Sequence, residues 1–79
     1  MWKEGTIGIP KEGKNYKVVH YWIKVYEEGS QFGINGGKIL KLTLKLDGEV
    51  IANYDRGWDI EPTTEDANLA LCILLNEHN

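Results

Sequence analysis

Few residues of this chain have the types and spacing that covalent chemistry requires. The only histidines are His20 and His78, the only cysteine is Cys72, and no Ser, His and acid cluster suggests a nucleophilic triad. Cys72 lies within an apolar segment, where we expect a thiol to be buried and unactivated. His20 can donate to a ligand, but a partly exposed histidine without a role is the commoner case. We therefore expect no enzymatic activity and no cofactor.

A glycine-rich segment, Gly33–Lys38, is the next candidate because such loops can bind phosphate. A phosphate-binding P-loop needs a longer glycine spacing, a Ser or Thr after the lysine, and a following helix. Here Ile39 follows the lysine, and the next element is a predicted strand. The segment is therefore predicted to be a flexible connection. The alternative is an anion contact through its backbone N–H groups and Lys38.

Three carboxylates, Asp55, Asp59 and Glu61, are spaced two to four residues apart and could converge on a hard cation. The calcium-loop pattern is absent, so we favour an ion pair or turn hydrogen bonds with Arg56. No metal site is predicted.

Alternating hydrophobicity predicts the strands that must position these residues. We expect strands at 2–9, 16–27 and 39–46, with Asp47-Gly48 as a tight hairpin into a fourth strand. A type I turn with a glycine bulge at Gly48 is the predicted register, because it sets apolar residues opposite apolar ones. It pairs Lys45 with Glu49, Leu44 with Val50, Leu42 with Ala52 and Leu40 with Tyr54.

A single helix is predicted after the stretch 52–62, where Gly57 and Pro62 turn the backbone. A threonine caps it, acidic residues follow in its first turn, and it runs to about Asn76. His78 would then lie in a frayed tail. The predicted fold class is α+β: one domain, 1–79, with a four-stranded, mostly antiparallel sheet and one C-terminal helix packed on one face.

The helix carries seven consecutive apolar residues, 69–75, which cover its whole circumference. Its predicted sheet-facing stripe is Ala67, Leu71, Leu74 and Leu75. Leu69, Cys72 and Ile73 are left on the other side, and either the long loop 28–38 or a second copy of the chain must cover them. We favour the second copy, because small chains without disulfides or metals often gain burial by associating.

The sheet face opposite the helix is predicted to be aromatic and basic. It shows Tyr16, Val18, His20, Trp22, Lys24, Tyr26, Lys41, Thr43, Ile51 and Asn53, with Arg56 and Trp58 at its end. Flat aromatic rings beside fixed positive charge suit a purine and a phosphate. The same residue types also make good anchors in protein interfaces.

Composition excludes several classes of function. Nine basic and twelve acidic residues give a net charge of −3, which argues against general nucleic-acid binding. No apolar run approaches the roughly 18 residues of a membrane span, and the first five residues do not form a signal peptide. We expect a cytoplasmic protein.

Five segments carry a resemblance to known proteins: Met1–Gly5, Tyr21-Trp22, Tyr26–Ser30, Phe32–Gly37 and Asn53–Pro62. The Asp-Arg-Gly-Trp-Asp stretch is the most distinctive of them. In these segments the chain resembles a family of short proteins associated with bacteriophages, prophages and gut Firmicutes, a domain of unassigned function. The resemblance covers almost the whole chain but supplies no catalytic residues. It implies a context in which small phage proteins disable host defences by binding.

These observations predict a non-enzymatic, phage-type binding protein that sequesters a small nucleotide-like signal in a homo-oligomer. Trp22, Tyr26 and Trp58 would stack on the ligand and His20 would donate to it, while Lys38, Lys41 and Arg56 would supply charge. One alternative is a protein–protein inhibitor of a host nuclease or defence effector. Another is a structural homo-oligomer that has no ligand.

Overall fold

A computed structural model describes all residues, Met1–Asn79, as one antiparallel sheet with a helix on one face. The strands are β1 (Trp2–Pro10), β2 (Tyr16–Val25), β3 (Ile39–Leu46), β4 (Glu49–Asp55) and β5 (Trp58–Ile60), and they lie side by side in chain order. Helix α1 (Glu65–His78) follows the sheet. The predicted α+β class and C-terminal helix are confirmed, but the sheet has five strands rather than four.

The fifth strand lies in the stretch that the sequence marks only as a turn. Arg56 takes a positive φ of 59°, and the amide of Asp55 donates to the carbonyl of Gly57 at 2.9 Å. This turn returns the chain along β4, so that Trp58 pairs with Tyr54. A three-residue strand is too short to show an alternating pattern, which explains why period two misses it.

The core lies between the sheet and the helix. Val19, Ile23, Leu42 and Leu44 are no more than 1% exposed, as the alternation of β2 and β3 predicts. Neighbouring strands set these side chains opposite one another, with Ile23 beside Leu42 and Val19 beside Leu46. Burial of such aliphatic side chains contributes roughly 1.5–3 kcal/mol each before the entropy cost of folding.

The β3–β4 hairpin corrects the predicted register. Both turn residues, Asp47 and Gly48, have positive φ (52° and 80°), which is a two-residue turn pairing Leu46 with Glu49. Lys45 then pairs with Val50, and a bulge shifts the ladder so that Leu44 pairs with Ala52. The register with a glycine bulge at Gly48 is therefore wrong. The irregularity lies further along β4, where Ile51 packs against the core and Val50 lies opposite Lys45.

The helix begins at the cap that the sequence predicts. The Thr64 hydroxyl accepts from the Ala67 amide at 3.1 Å, which satisfies a free N–H of the first turn. Ala67, Ala70 and Leu74 are the fully buried residues of the helix, and Leu71 and Leu75 also pack on the core, so the predicted stripe is confirmed and Ala70 joins it. The helix continues to His78, two residues beyond the predicted end. Lys11 contacts Asp66 and ties the β1–β2 turn to the start of the helix.

The long loop packs on the far end of the helix. Ile34, in a short 3-10 turn (Ile34–Gly36), is 3% exposed, and the Tyr54 hydroxyl donates to the carbonyl of Phe32 at 2.7 Å. The Asn79 side chain accepts from the amide of Lys38 at 3.0 Å. These contacts anchor the loop and the end of the chain to each other.

Helix α1 does not meet the length and apolar character that crossing a lipid bilayer requires.

Candidate functional site

The side of the sheet away from the helix, called the outer face from here on, presents a mixture of aromatic and cationic side chains. Residues at alternate positions of the strands share this side. Its central members are Trp2, Glu4 and Thr6 of β1, His20, Trp22 and Lys24 of β2, Lys41, Thr43 and Lys45 of β3, and Asn53 of β4.

The pairing of β2 with β3 sets one lysine directly opposite another and a third lysine opposite a histidine. Lys24 pairs with Lys41, and His20 pairs with Lys45; between them Trp22 pairs with Thr43. Like charges in directly opposite positions destabilise a sheet. The outer face therefore carries positive charge on both sides of one tryptophan, and folding of the single chain does not benefit from that arrangement.

Aromatic rings contact these cations. The Nζ of Lys45 lies 5.7 Å from the ring centroid of Trp22, and the Nζ of Lys24 lies 5.6 Å from that of Tyr26. The same Lys24 nitrogen is 5.7 Å from the Trp2 ring. The His20 ring stacks beside Trp22 with centroids 6.2 Å apart and an interplanar angle of 22°. Cation–π contacts of Lys24 partly offset its repulsion from Lys41.

Trp22 is held in place by strand β1. Glu4 lies opposite Trp22 in the β1–β2 register, and its carboxylate accepts from the indole Nε1 at 2.7 Å. A charge-assisted hydrogen bond of this length fixes the rotation of the ring. The tryptophan is thus oriented within the single chain.

Acidic and amide side chains mark the boundary of the cationic region on β4 and β5. The Thr43 hydroxyl donates to Asn53 at 2.8 Å, and the Asn53 amide donates to Asp59 at 3.0 Å. The Nζ of Lys41 lies 3.8 Å from a carboxylate oxygen of Asp55. The acids of this stretch therefore use Lys41 and Asn53 as partners, rather than Arg56, and no group of three or more His, Cys, Asp or Glu converges as metal ligands.

The structure brings together some of the predicted ligand-binding residues. His20, Trp22 and Lys41 occupy neighbouring positions on the outer face, and Tyr26 joins them through its contact with Lys24. Trp58 lies elsewhere: it packs edge-to-face on Tyr54, with centroids 5.0 Å apart, among the side chains that border the core. The prediction that Trp58 lies at the end of the outer face is wrong because the unpredicted β5 turns its side chain to the helix side.

Lys38 and Arg56 are held by their backbones at the loop end of the sheet. The carbonyl of Lys38 accepts from the Tyr26 amide at 3.0 Å, and the amide of Arg56 donates to the carbonyl of Leu40 at 3.1 Å. The glycine-rich loop uses its own N–H groups: those of Gly33, Gly36 and Gly37 all donate to carbonyls within the loop. These amides are not free to bind an anion. The alternative prediction, an anion contact through the backbone N–H groups of the loop, is therefore not supported.

The outer face contains residues that the predicted site lacks. Lys24, Lys45, Trp2 and Glu4 contact or flank Trp22. Period two places Lys24 on the outer side, but only the register between β2 and β3 reveals the opposed cations. An irregularity ends this register between Lys24 and Val25, and no local pattern shows where the register begins or ends.

Two surface grooves meet at Tyr26, at one end of the sheet. The larger, of about 670 Å³, is lined by Tyr26, Glu27, Glu28, Gly29, Ser30, Phe32 and Leu40. The smaller, of about 320 Å³, is lined by Met1, Lys3, Val25, Tyr26 and Glu27. The larger groove has carboxylates and no cation in its lining, so it does not suit a phosphate. The central outer face has no groove.

The helix surface predicted to contact a second copy is open to solvent only in part. Leu69 is 42% exposed, and Cys72 is exposed, which corrects the expectation of a buried thiol. Ile73 is half-buried within the single chain. The long loop packs on the other end of the helix and does not cover Leu69, so that alternative is excluded.

His78 is a structural residue rather than part of this site. Its side chain is 13% exposed, its Nε2 has no hydrogen-bond partner, and Glu77 lies 3.7 Å away. Burial lowers the pKa of His78 from its ordinary value of 6.5, the charge of Lys3 lowers it further, and Glu77 raises it. The histidine expected in a frayed tail is in fact packed.

The fold and its exposed face define a small α+β domain, a five-stranded antiparallel meander closed on one side by a C-terminal helix. The chain belongs to the family described as Domain of unknown function (DUF7678), whose sequence model matches residues 1–79. No curated protein and no solved structure matches the chain.

Proposed function

We propose that this protein is a non-enzymatic binding protein that sequesters a small nucleotide-like anion on its outer face within a homo-oligomer. The observation that carries the proposal is the placement of lysines on both sides of Trp22, with Lys24 opposite Lys41 and Lys45 opposite His20. An anion bound there would remove a repulsion that the chain otherwise bears.

Each part of such a ligand has a matching group. Trp22 and Tyr26 offer ring faces on which a base can stack. Lysine ammonium groups on opposite strands can approach one phosphate from two sides, and His20 can donate beside them. Glu4 holds the indole in position. Its carboxylate does not bind the phosphate, because two anions repel each other.

A second subunit is part of the proposal because the outer face is flat. Ligand pockets bury most of a ligand's surface, and both grooves of the single chain lie at one end of the sheet. A ligand on Trp22 would be covered from one side only, so another copy of the chain supplies the second wall.

The biological role that we propose is interference with a host defence in the bacterial cytoplasm. This role is suggested by the resemblance to short phage and prophage proteins. The protein would act by binding a nucleotide signal and so removing it from solution. A plaque assay that compares defended hosts with and without the protein tests this role separately from ligand binding.

A second candidate function is inhibition of a host protein by direct contact. The absence of a groove over Trp22 favours it, because flat surfaces with exposed aromatics suit protein partners. In a pull-down from a bacterial lysate, an inhibitor captures one protein in stoichiometric amount, and a nucleotide sponge captures none. A ligand-free structural oligomer is the third reading. In that case Trp22→Ala dissolves the assembly and removes no binding activity.

The test of the proposed function is isothermal titration with linear and cyclic nucleotides at low salt. We expect heat from at least one of them. Lys24→Gln should bind that nucleotide at least about tenfold more weakly than the wild type, because a charge-assisted contact is lost. Lys14→Gln is the matched control, because Lys14 is an exposed lysine in the turn at the opposite end of β2. A folded protein that gives no heat with any of these nucleotides overturns the proposal.

A further inference from the structure

The first strand leaves one edge of the sheet unpaired. β1 is the outermost strand on its side and pairs with β2 alone, through nine consecutive residue pairs without a bulge. The opposite edge is β5, which has three residues and an irregular register with β4. The two edges therefore differ in length and regularity.

The hydrogen bonds at the start of β1 determine which backbone groups point outwards. The Met1 nitrogen donates to the Val25 carbonyl at 2.9 Å, and the Val25 amide donates back to the Met1 carbonyl at 2.9 Å. Mutual bonds recur at every second residue of an antiparallel pair. The N–H and C=O groups of the residues in between, Trp2, Glu4, Thr6 and Gly8, thus face away from β2.

Natural proteins usually protect such an edge with charged side chains, a bulge, a central proline, a very short strand or a covering element. In β1 the only proline is Pro10, its last residue, and the charged residues Lys3 and Glu4 lie near the start of the strand, where the register given below sets no like charges opposite each other. The helix packs on the sheet face, where it contacts β1, and its Asp66 binds Lys11 beyond the end of the strand. The row of outward donors and acceptors is left available.

We propose that a second copy of the chain pairs antiparallel with β1 about a two-fold axis through Gly5, joining both sheets into one. This register sets Trp2 opposite Gly8 and Glu4 opposite Thr6, in the positions where outward backbone groups meet. A centre at Glu4 would place two carboxylates opposite each other, which is unfavourable.

Tyr21 favours a second copy over an unrelated peptide. Its ring lies on Gly5, because a Cβ built on Gly5 would be only 2.7 Å from the tyrosine hydroxyl oxygen. With Gly5 of one copy opposite Gly5 of the other, the two hydroxyls meet on the helix side of the joined sheet. An arbitrary peptide offers no such partner.

Pairing through β1 makes the two outer faces continuous, with Trp2 and Glu4 of each copy beside the axis. This edge contact leaves Trp22 covered from one side only, so it is separate from the subunit contact that the proposed ligand site requires, and it does not rest on the proposed function. The subunit contact predicted on the helix, at Leu69, Cys72 and Ile73, is a different surface, so the two arrangements can be separated by mutation.

The test is the mass in solution, by light scattering and sedimentation over a range of concentrations, without any ligand. We expect twice the 9.0 kDa of one chain for the wild type and for Thr6→Val, which keeps the backbone N–H. Thr6→Pro removes an outward N–H that the β1–β2 ladder does not use, so the expected result is a folded monomer.

Two charge variants test the register and remain informative even if the proline variant does not fold. Thr6→Glu sets like charges opposite Glu4 and Thr6→Lys sets unlike charges there, so their dimer dissociation constants should differ by about tenfold, with the glutamate weaker. A monomeric wild type overturns the inference, as does a folded, dimeric Thr6→Pro or equal constants for the charge variants. If a monomer binds a nucleotide, the proposed ligand is supported and only the β1 contact is ruled out.

Discussion

The two faces of the sheet are built from the same strands but meet different physical demands. On the helix side, Val19, Ile23, Leu42 and Leu44 are sealed from water, and the core contains no buried polar or charged residue. On the outer side the intervening residues of β2 and β3 include three lysines, a histidine and a tryptophan. One face is explained by folding alone, whereas the other carries like charges that folding does not require.

This contrast separates stability from function along one strand. A substitution on the helix side should lower stability, and a neighbouring substitution on the outer side should leave stability nearly unchanged while altering binding. Four predictions are given below in order of decreasing expected effect; the first tests that separation, and the other three test the loop and the helix that close the helix side.

The largest effect is expected in the core. Leu44→Ala should lower the free energy of unfolding by about 2–5 kcal/mol, because Leu44 is fully buried and its truncation leaves a cavity. Lys45→Ala, at the next position and on the outer face, should change it by no more than about 0.5 kcal/mol. Urea unfolding of both variants measures the difference, and equal losses would contradict the division into two faces.

Substitution in the loop that closes the end of the core should have the next largest effect on the free energy of unfolding. A Cβ on Gly33 would collide with the backbone carbonyl of Gly37, so Gly33→Ala should lower the free energy of unfolding by about 1–3 kcal/mol. Gly57→Ala is the control, since a Cβ there meets open space. Thermal unfolding that shows no difference between the two variants would mean that the loop is not packed as described.

The helix cap should have a smaller effect. Thr64→Ala removes the hydroxyl that accepts from the Ala67 amide and should lower the free energy of unfolding by about 1 kcal/mol. Thr63→Ala changes the adjacent, exposed threonine and should have almost no effect. A larger loss for Thr63→Ala in urea unfolding would place the cap one residue earlier.

The smallest effect is a pH dependence at the end of the helix. Because the folded pKa of His78 is lowered, the unfolded chain binds a proton more readily than the folded one. The contribution of His78 to stability is therefore complete above the unfolded pKa, near 6.5, and is lost as the pH falls towards the lower folded pKa. His78→Gln should flatten the change in unfolding midpoint between about pH 7.5 and 5.5; an unchanged slope would show that His78 is solvated.

The sequence predicts most of the core because its periodicity is a local property. Alternation in β2 and β3 identifies Val19, Ile23, Leu42 and Leu44 without any knowledge of tertiary structure. A helix cap is also a local property, so the sequence identifies Thr64 as one of two possible caps. Period 3.6 finds all four residues of the helix stripe, Ala67, Leu71, Leu74 and Leu75, which are buried or pack on the core, and misses only the buried Ala70.

The missed features depend on contacts between distant segments. β5 is defined by its pairing with β4 and by the packing of Trp58 on Tyr54, neither of which a three-residue pattern encodes. The opposed lysines require the β2–β3 register across a long loop. The hairpin was placed incorrectly because the bulge lies inside β4 and not at the glycine, where turn chemistry would suggest it.

The claim that the outer face is the binding surface is tested most directly by mapping. Backbone amide resonances of the labelled protein would be followed by NMR while the nucleotides of the titration series are added. We predict shifts concentrated at His20–Lys24 and Lys41–Lys45, with the helix-side control Leu74 unmoved. Shifts confined to the Tyr26 and Phe32 groove, or no shifts with any nucleotide, would contradict the account.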